Sequence, residues 1–158
     1  MNDLDFMRAA LAEARRAELE GEVPIGAVIV HDGKIVATGR NRREGRGDPL
    51  AHAELEAIRA ASDATAGWRL ERMTMFVTLE PCAMCAGALV ASRIERLVFA
   101  TPDPKAGFCG SLGNLAADPR LNHRLVVESG LLQEESAELL TGFFRRLRRG
   151  EELIEANR

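Results

Sequence analysis

The chain has little from which to build cross-links or a membrane anchor. Three cysteines in 158 residues do not make a disulfide framework, and two of them, Cys82 and Cys85, stand at the spacing of a metal motif. No uninterrupted apolar run approaches the ~20 residues that span a bilayer. Met1 to Glu20 alternates charged with apolar residues, so no secretory apolar segment is expected there. A reducing cytoplasm fits this cysteine usage. Excess positive charge is lacking too: a net charge of -3 and a pI near 5.7 argue against indiscriminate coating of nucleic acid. Repeats, linkers and low-complexity tracts are not evident, so residues 1–158 are expected to form one domain around one core.

Against that background, local features stand out. Leu4, Met7, Leu11 and Ala14 recur at spacings of three and four, which predicts an amphipathic helix from Asp3 to Glu20, capped by Asp3 and stopped by Gly21. Ala27–Val30 and Lys34–Arg40 read as strands joined by the tight turn Asp32-Gly33. Asn41–Pro49 is a loop, and Leu50–Ser62 a helix with His52 and Glu54 in its first turn. Met73–Leu79 is an apolar strand, Pro81 suits a first helical position, and the helix continues to Ser92. Arg96–Ala100 is then a strand parallel to Met73–Leu79. A long loop runs from Thr101 to Leu121, a last strand from Leu125 to Glu128, and a helix from Leu131 to Ala156 with a break at Gly150. These elements predict an α/β fold, a three-layer α/β/α sandwich on a mixed sheet of about five strands.

The chemistry concentrates in Pro81-Cys82-Ala83-Met84-Cys85 and His52-Ala53-Glu54. Two cysteines three apart at a helix start share one side of its first turn, and one histidine adds a third ligand. Three protein ligands are what a catalytic zinc uses, leaving a position for water. Glu54, two residues past His52, is then a carboxylate beside that water and fit to carry protons. The combination H-x-E with P-C-x-x-C is the known signature of zinc nucleobase deaminases. A closed structural site would need a fourth ligand from Cys109, His31 or His123, none at ligand spacing. A redox C-x-x-C leaves the H-x-E turn without a purpose. Two basic clusters, Arg40/Arg42/Arg43/Arg46 and Arg145/Arg146/Arg148/Arg149, are candidate phosphate contacts despite the net acidity.

Asn41-Arg42, Asp48-Pro49-x-Ala51-His52-Ala53-Glu54, Val77 through Ala88, Ser92-Arg93-Ile94, Asp103 through Gly107, Gly110-Ser111-Leu112, Asn122-His123 and Phe143-Phe144-Arg145 together resemble the bacterial tRNA-specific adenosine deaminases. The likeness covers nearly the whole chain. It implies the cytidine deaminase-like fold, a homodimer, and hydrolysis of the wobble adenosine of a tRNA anticodon, in an arginine tRNA, to inosine. By position it implies one Zn2+ per subunit on His52, Cys82 and Cys85, with Glu54 as proton shuttle. Asn41 would bond the extruded base, with Pro24 and Ile25 bordering its pocket. Asp103, Lys105 and Asn122 would meet flanking ribose and phosphate, while Phe144 and Arg145 would hold the anticodon stem-loop. Gly107-Phe108-Cys109-Gly110 departs from the pattern by carrying a bulky aromatic and a thiol where small residues are expected. So does the tail, where Leu147 interrupts the arginines. Two other readings remain at this point: a deaminase of free guanine, cytosine or cytidine on the same scaffold, and a zinc-stapled RNA-binding module without activity.

Overall fold

Side-chain alternation along the strands sets the architecture. In the computed structural model, which describes the backbone of residues 1–156 and the side chains of residues 1–150, five strands form one mixed sheet. They are β1 (Gly26–His31), β2 (Lys34–Arg40), β3 (Met73–Leu79), β4 (Arg96–Thr101) and β5 (Val126–Ser129), in the order β2-β1-β3-β4-β5. β1 is antiparallel to β2 and β3, whereas β3, β4 and β5 run parallel. The helices are α1 (Asp3–Leu19), α2 (Arg43–Arg46), α3 (Ala53–Thr65), α4 (Ala83–Ala91) and α5 (Gln133–Ala156). Ile29, Met75, Val77 and Leu97 point to one face and pack with Ala57, Ala61 and Leu89 of α3 and α4. Val28, Phe76 and Val98 point to the other and meet Phe6, Met7 and Ala10 of α1, with Leu131 and Leu132 ahead of α5. This is the layered α/β/α arrangement expected.

Several boundaries differ from expectation, each for a local reason. The cap of α1 is Asn2 rather than Asp3: Asn2 Oδ1 accepts the Asp5 N–H and Asp5 Oδ2 accepts the Asn2 N–H, both at 3.0 Å. Asp3 pairs with Arg96 instead. α3 starts at Ala53, not Leu50, because Asp48 Oδ1 accepts the Leu50 N–H at 2.9 Å and holds a turn there. Pro81 lies outside α4, whose cap is Cys82. α5 runs unbroken through Gly150, where a glycine costs about 1 kcal/mol and is tolerated. The last strand begins and ends one residue later than expected. Within the loop after β2, α2 forms because the buried Glu22 carboxylate accepts the N–H groups of Glu44 and Gly45 at 2.9 and 2.8 Å. That cap is supplied from across the fold, beyond the reach of local pattern.

Close packing brings α3 down onto the sheet. A Cβ at Gly39 in β2 would lie 2.2 Å from the Ala53 carbonyl oxygen, so only glycine lets the start of α3 approach this closely. The starts of α3 and α4 thereby meet at the carboxyl end of β3, where the strand order and connections open a crevice.

Candidate active site

His52 and Cys82 are the caps of α3 and α4, and both have extended backbone (φ -75°, ψ 151° and φ -71°, ψ 177°). The extended cap lets His52 and Glu54, two apart, approach one site, which a regular helix forbids, whereas Cys82 and Cys85, three apart, share a side of the first turn. His52 Nδ1 lies 3.8 Å from Cys82 Sγ and 3.5 Å from Cys85 Sγ. All three donor atoms fall within 4.8 Å of one another. Tetrahedral zinc bonds of about 2.3 Å to sulfur and 2.0–2.1 Å to nitrogen require S···N separations of about 3.6 Å. The donor set therefore fits such an ion in both chemistry and spacing.

Among the described residues, no fourth side chain joins this group. His31 faces Asp32 at 3.6 Å, and His123 Nε2 bonds the Ile94 carbonyl at 2.7 Å. Cys109 is buried, and burial with the nearby Glu80 carboxylate pushes its thiol up to about 12, so it packs rather than ligates. Its neighbour Phe108 packs against the main core. The unexpected aromatic and thiol thus serve loop packing.

The charges are strongly interdependent. Cys82 is held down to about 3, first by the S–H of Cys85 donating to it, with help from His52. Cys85 is driven far above the ordinary thiol range by the same pairing, by burial and by the Glu54 carboxylate. Bonding to Cys82 raises His52, while burial raises Glu54 above the ordinary carboxylate range. These shifts favour a thiolate at Cys82 that accepts the Cys85 S–H. A divalent ion would displace that proton, and the two helix N-termini already favour the negative charge.

Glu54 is only 5% exposed and projects into a cavity of about 240 Å3 that His52 and Cys82 also reach. Ile25, Asn41, Asp103 and Phe144 line the same cavity. Pro24 does not: the Ile25 N–H donates to the Val23 carbonyl at 2.9 Å, and this tight turn leaves Val23 and Ile25 on the cavity wall and Pro24 buried. Asn41 is engaged at both ends, Nδ2 donating to the Val23 carbonyl at 3.3 Å and Oδ1 accepting the Arg43 N–H at 3.2 Å. Lys105 lines an adjoining cavity of about 390 Å3, which shares Asp103 and Phe144 with the first. Asn122 and Arg145 are exposed and lie outside both sets of walls. Phe144 is 42% exposed at the junction, with Phe143 edge-on to it at 5.4 Å.

Sequence reasoning assigned no role to the wall residues Val23, Leu79, Glu80 and Ala106, and named Arg43 only within a basic cluster. For Glu80 there was a signal: an acid ending an apolar strand directly before the Pro-Cys turn. Burial raises its pKa, but hydrogen bonds from Ser111, Asp103 and Cys109 outweigh that and hold it below the usual carboxylate range.

Comparison with known proteins agrees with this geometry. A family described as MafB19-like deaminase matches residues 1–148. A tRNA-specific adenosine deaminase of Bacillus subtilis is 49% identical over 152 residues, covering 96% of this chain and 94% of the relative. A solved structure from studies of A-to-I editing by tRNA:A34 deaminases superposes with a TM-score of 0.83 at 46% identity, covering 86% of this chain and 99% of that one. The guanine deaminase of Bacillus subtilis is more distant, with a TM-score of 0.62 at 36% identity over 65% of this chain and 66% of that one. With its H-x-E turn and P-C-x-x-C turn meeting at one cavity, the chain belongs to the tRNA-specific adenosine deaminase family of the MafB19-like deaminases.

Proposed function

We propose that the chain hydrolyses adenosine to inosine and ammonia at the wobble position of a tRNA anticodon, an arginine tRNA being the expected substrate. The observation that carries this reading is the convergence of His52 Nδ1, Cys82 Sγ and Cys85 Sγ on one point at the cavity that holds the buried Glu54. These three donors would bind Zn2+, which supplies the Lewis acidity that activates a water for attack on the ring carbon bearing the amine. Glu54 is placed to take one proton from the attacking water and pass it to the ring nitrogen, then to take the hydroxyl proton of the addition product and pass it to the amine, which leaves as ammonia. Burial raises its pKa above the ordinary carboxylate range, which favours its holding the proton in transit.

Ile25 and Val23 offer the extruded base an apolar wall, and Asn41 orients the backbone that frames it. Asp103 and Lys105 stand where flanking nucleotides would enter, and the exposed Phe144 offers a stacking face at the rim. Arg145 and Asn122 belong to the wider RNA surface. A homodimer in the cytoplasm, built from a single domain per chain, completes the proposal. No described helix is long and apolar enough to cross a membrane.

The test is incubation of the zinc-loaded protein with an anticodon stem-loop carrying adenosine at the wobble position, and separately with adenosine, cytidine and guanine. Inosine in the stem-loop alone is the expected result. Turnover of a free base or nucleoside alone would transfer the assignment to a small-molecule deaminase. No turnover with full zinc loading would favour a binding module. Light scattering gives a dimer mass if the assembly proposal holds, and a monomer mass refutes it.

A further inference from the structure

Burying a carboxylate is costly unless every lone pair finds a donor. Glu80 is 3% exposed, and its recorded partners are N–H and O–H groups rather than a cation. All of them come from one loop. Oε1 accepts the Asp103 N–H at 3.0 Å and the Ser111 hydroxyl at 2.5 Å. Oε2 accepts the N–H groups of Cys109 and Ser111, both at 3.0 Å. There is no slack in this cradle, since a Cβ on Gly107 would lie 2.3 Å from the carboxyl group.

The same loop is tied to the cysteine turn. The Phe108 N–H donates to the Pro81 carbonyl at 2.9 Å, and Cys82 and Gly107 form an isolated bridge. From this frame the loop presents Asp103 and Ala106 to the cavity containing Glu54, and Lys105 to the adjoining one.

We propose that Glu80 is a positioning residue for substrate recognition, its carboxylate serving as the internal template on which residues 103–111 fold into a wall of the cavity. The effect on the reaction passes through that loop. A carboxylate is required because each oxygen receives two donors, four in all. Glutamine, usually the mild replacement, would turn its own N–H groups toward two of those donors and leave them unpaired. The activity arm of the test rests on the proposed function; the structural arm does not.

The experiment compares zinc-loaded wild type with Glu80→Gln, reading zinc content, amide hydrogen exchange and steady-state kinetics on the wobble-adenosine stem-loop. Exchange at Asp103, Cys109 and Ser111 should quicken roughly tenfold or more, the loss expected of unmade buried bonds. Zinc should stay stoichiometric, and kcat/KM should fall about a hundredfold, mainly through KM. Ser111→Ala, which removes one donor of the four, should shift exchange and KM in the same direction by less. It also serves where Glu80→Gln does not fold. Unchanged exchange in the 103–111 amides overturns the proposal, as does a fall in kcat with KM intact or a loss of zinc that parallels the loss of activity. If the wild type fails to deaminate the stem-loop, the substrate reading fails while the exchange result still decides the role of Glu80.

Discussion

Replacing Glu54 by glutamine separates chemistry from structure at the centre of the site. The side chain keeps its shape, and the three ligand atoms of His52, Cys82 and Cys85 are untouched, so metal binding should persist. What disappears is the group proposed to move protons. General acid–base catalysis contributes about 10²–10⁴-fold, which at 1.36 kcal/mol per decade is about 2.7–5.4 kcal/mol of barrier. Single-turnover deamination of the stem-loop should slow by that factor with zinc content unchanged.

The same substitution should act on stability in the opposite direction. Burial raises the Glu54 pKa above its usual 4.5, so the folded metal-free chain favours the neutral acid. Its contribution to stability is then full below about pH 4.5 and is lost as pH rises through the elevated folded value. Glutamine, neutral at every pH, escapes that loss. Metal-free Glu54→Gln should therefore melt above wild type at pH 8, and the gap should close toward pH 4. Parallel melting curves across that range would refute the account of burial. Retention of more than about a tenth of wild-type turnover would refute the proton-carrying role, and loss of zinc would make Glu54 a ligand.

Two further outcomes test the ligand set and the rim. In metal-free protein at pH 6, iodoacetamide should label Cys82 first, because its thiol is held near 3. Cys85, pushed far up, and Cys109, pushed to about 12, should resist, and zinc should protect its two cysteine ligands, Cys82 and Cys85; peptide mass mapping reads this out. Phe144→Ala should weaken stem-loop binding by about 1–3 kcal/mol, the worth of one base stacked on an aromatic ring. That is roughly a five- to 150-fold rise in KM with kcat largely kept, and an unchanged KM would remove Phe144 from the interface.

The chemistry was legible early because its residues announce themselves locally. A histidine and a carboxylate two apart, and two cysteines three apart, need only helix starts to converge, and apolar runs and a turn dipeptide marked those starts. The strands were legible for the same reason: Val28/Ile29 and Phe76/Val77 are apolar on both faces, as a sheet covered on both sides demands. What local pattern missed was long-range bonding. Glu22 caps a turn made by Glu44 and Gly45, and Glu80 gathers a loop as far along as Ser111.

Primary sequence therefore decided which donor residues converge, His52 with Cys82 and Cys85, since ligand type and spacing are local properties. Tertiary structure alone decided which residues wall the cavity. Whether Val23 or Pro24 faces inward depends on the turn the chain makes between Val23 and Ile25, and where Asp103 stands depends on a buried carboxylate finding four donors. Those are properties of chain segments brought together by folding, because an unpaired buried charge is too costly to leave without partners from wherever the chain can supply them.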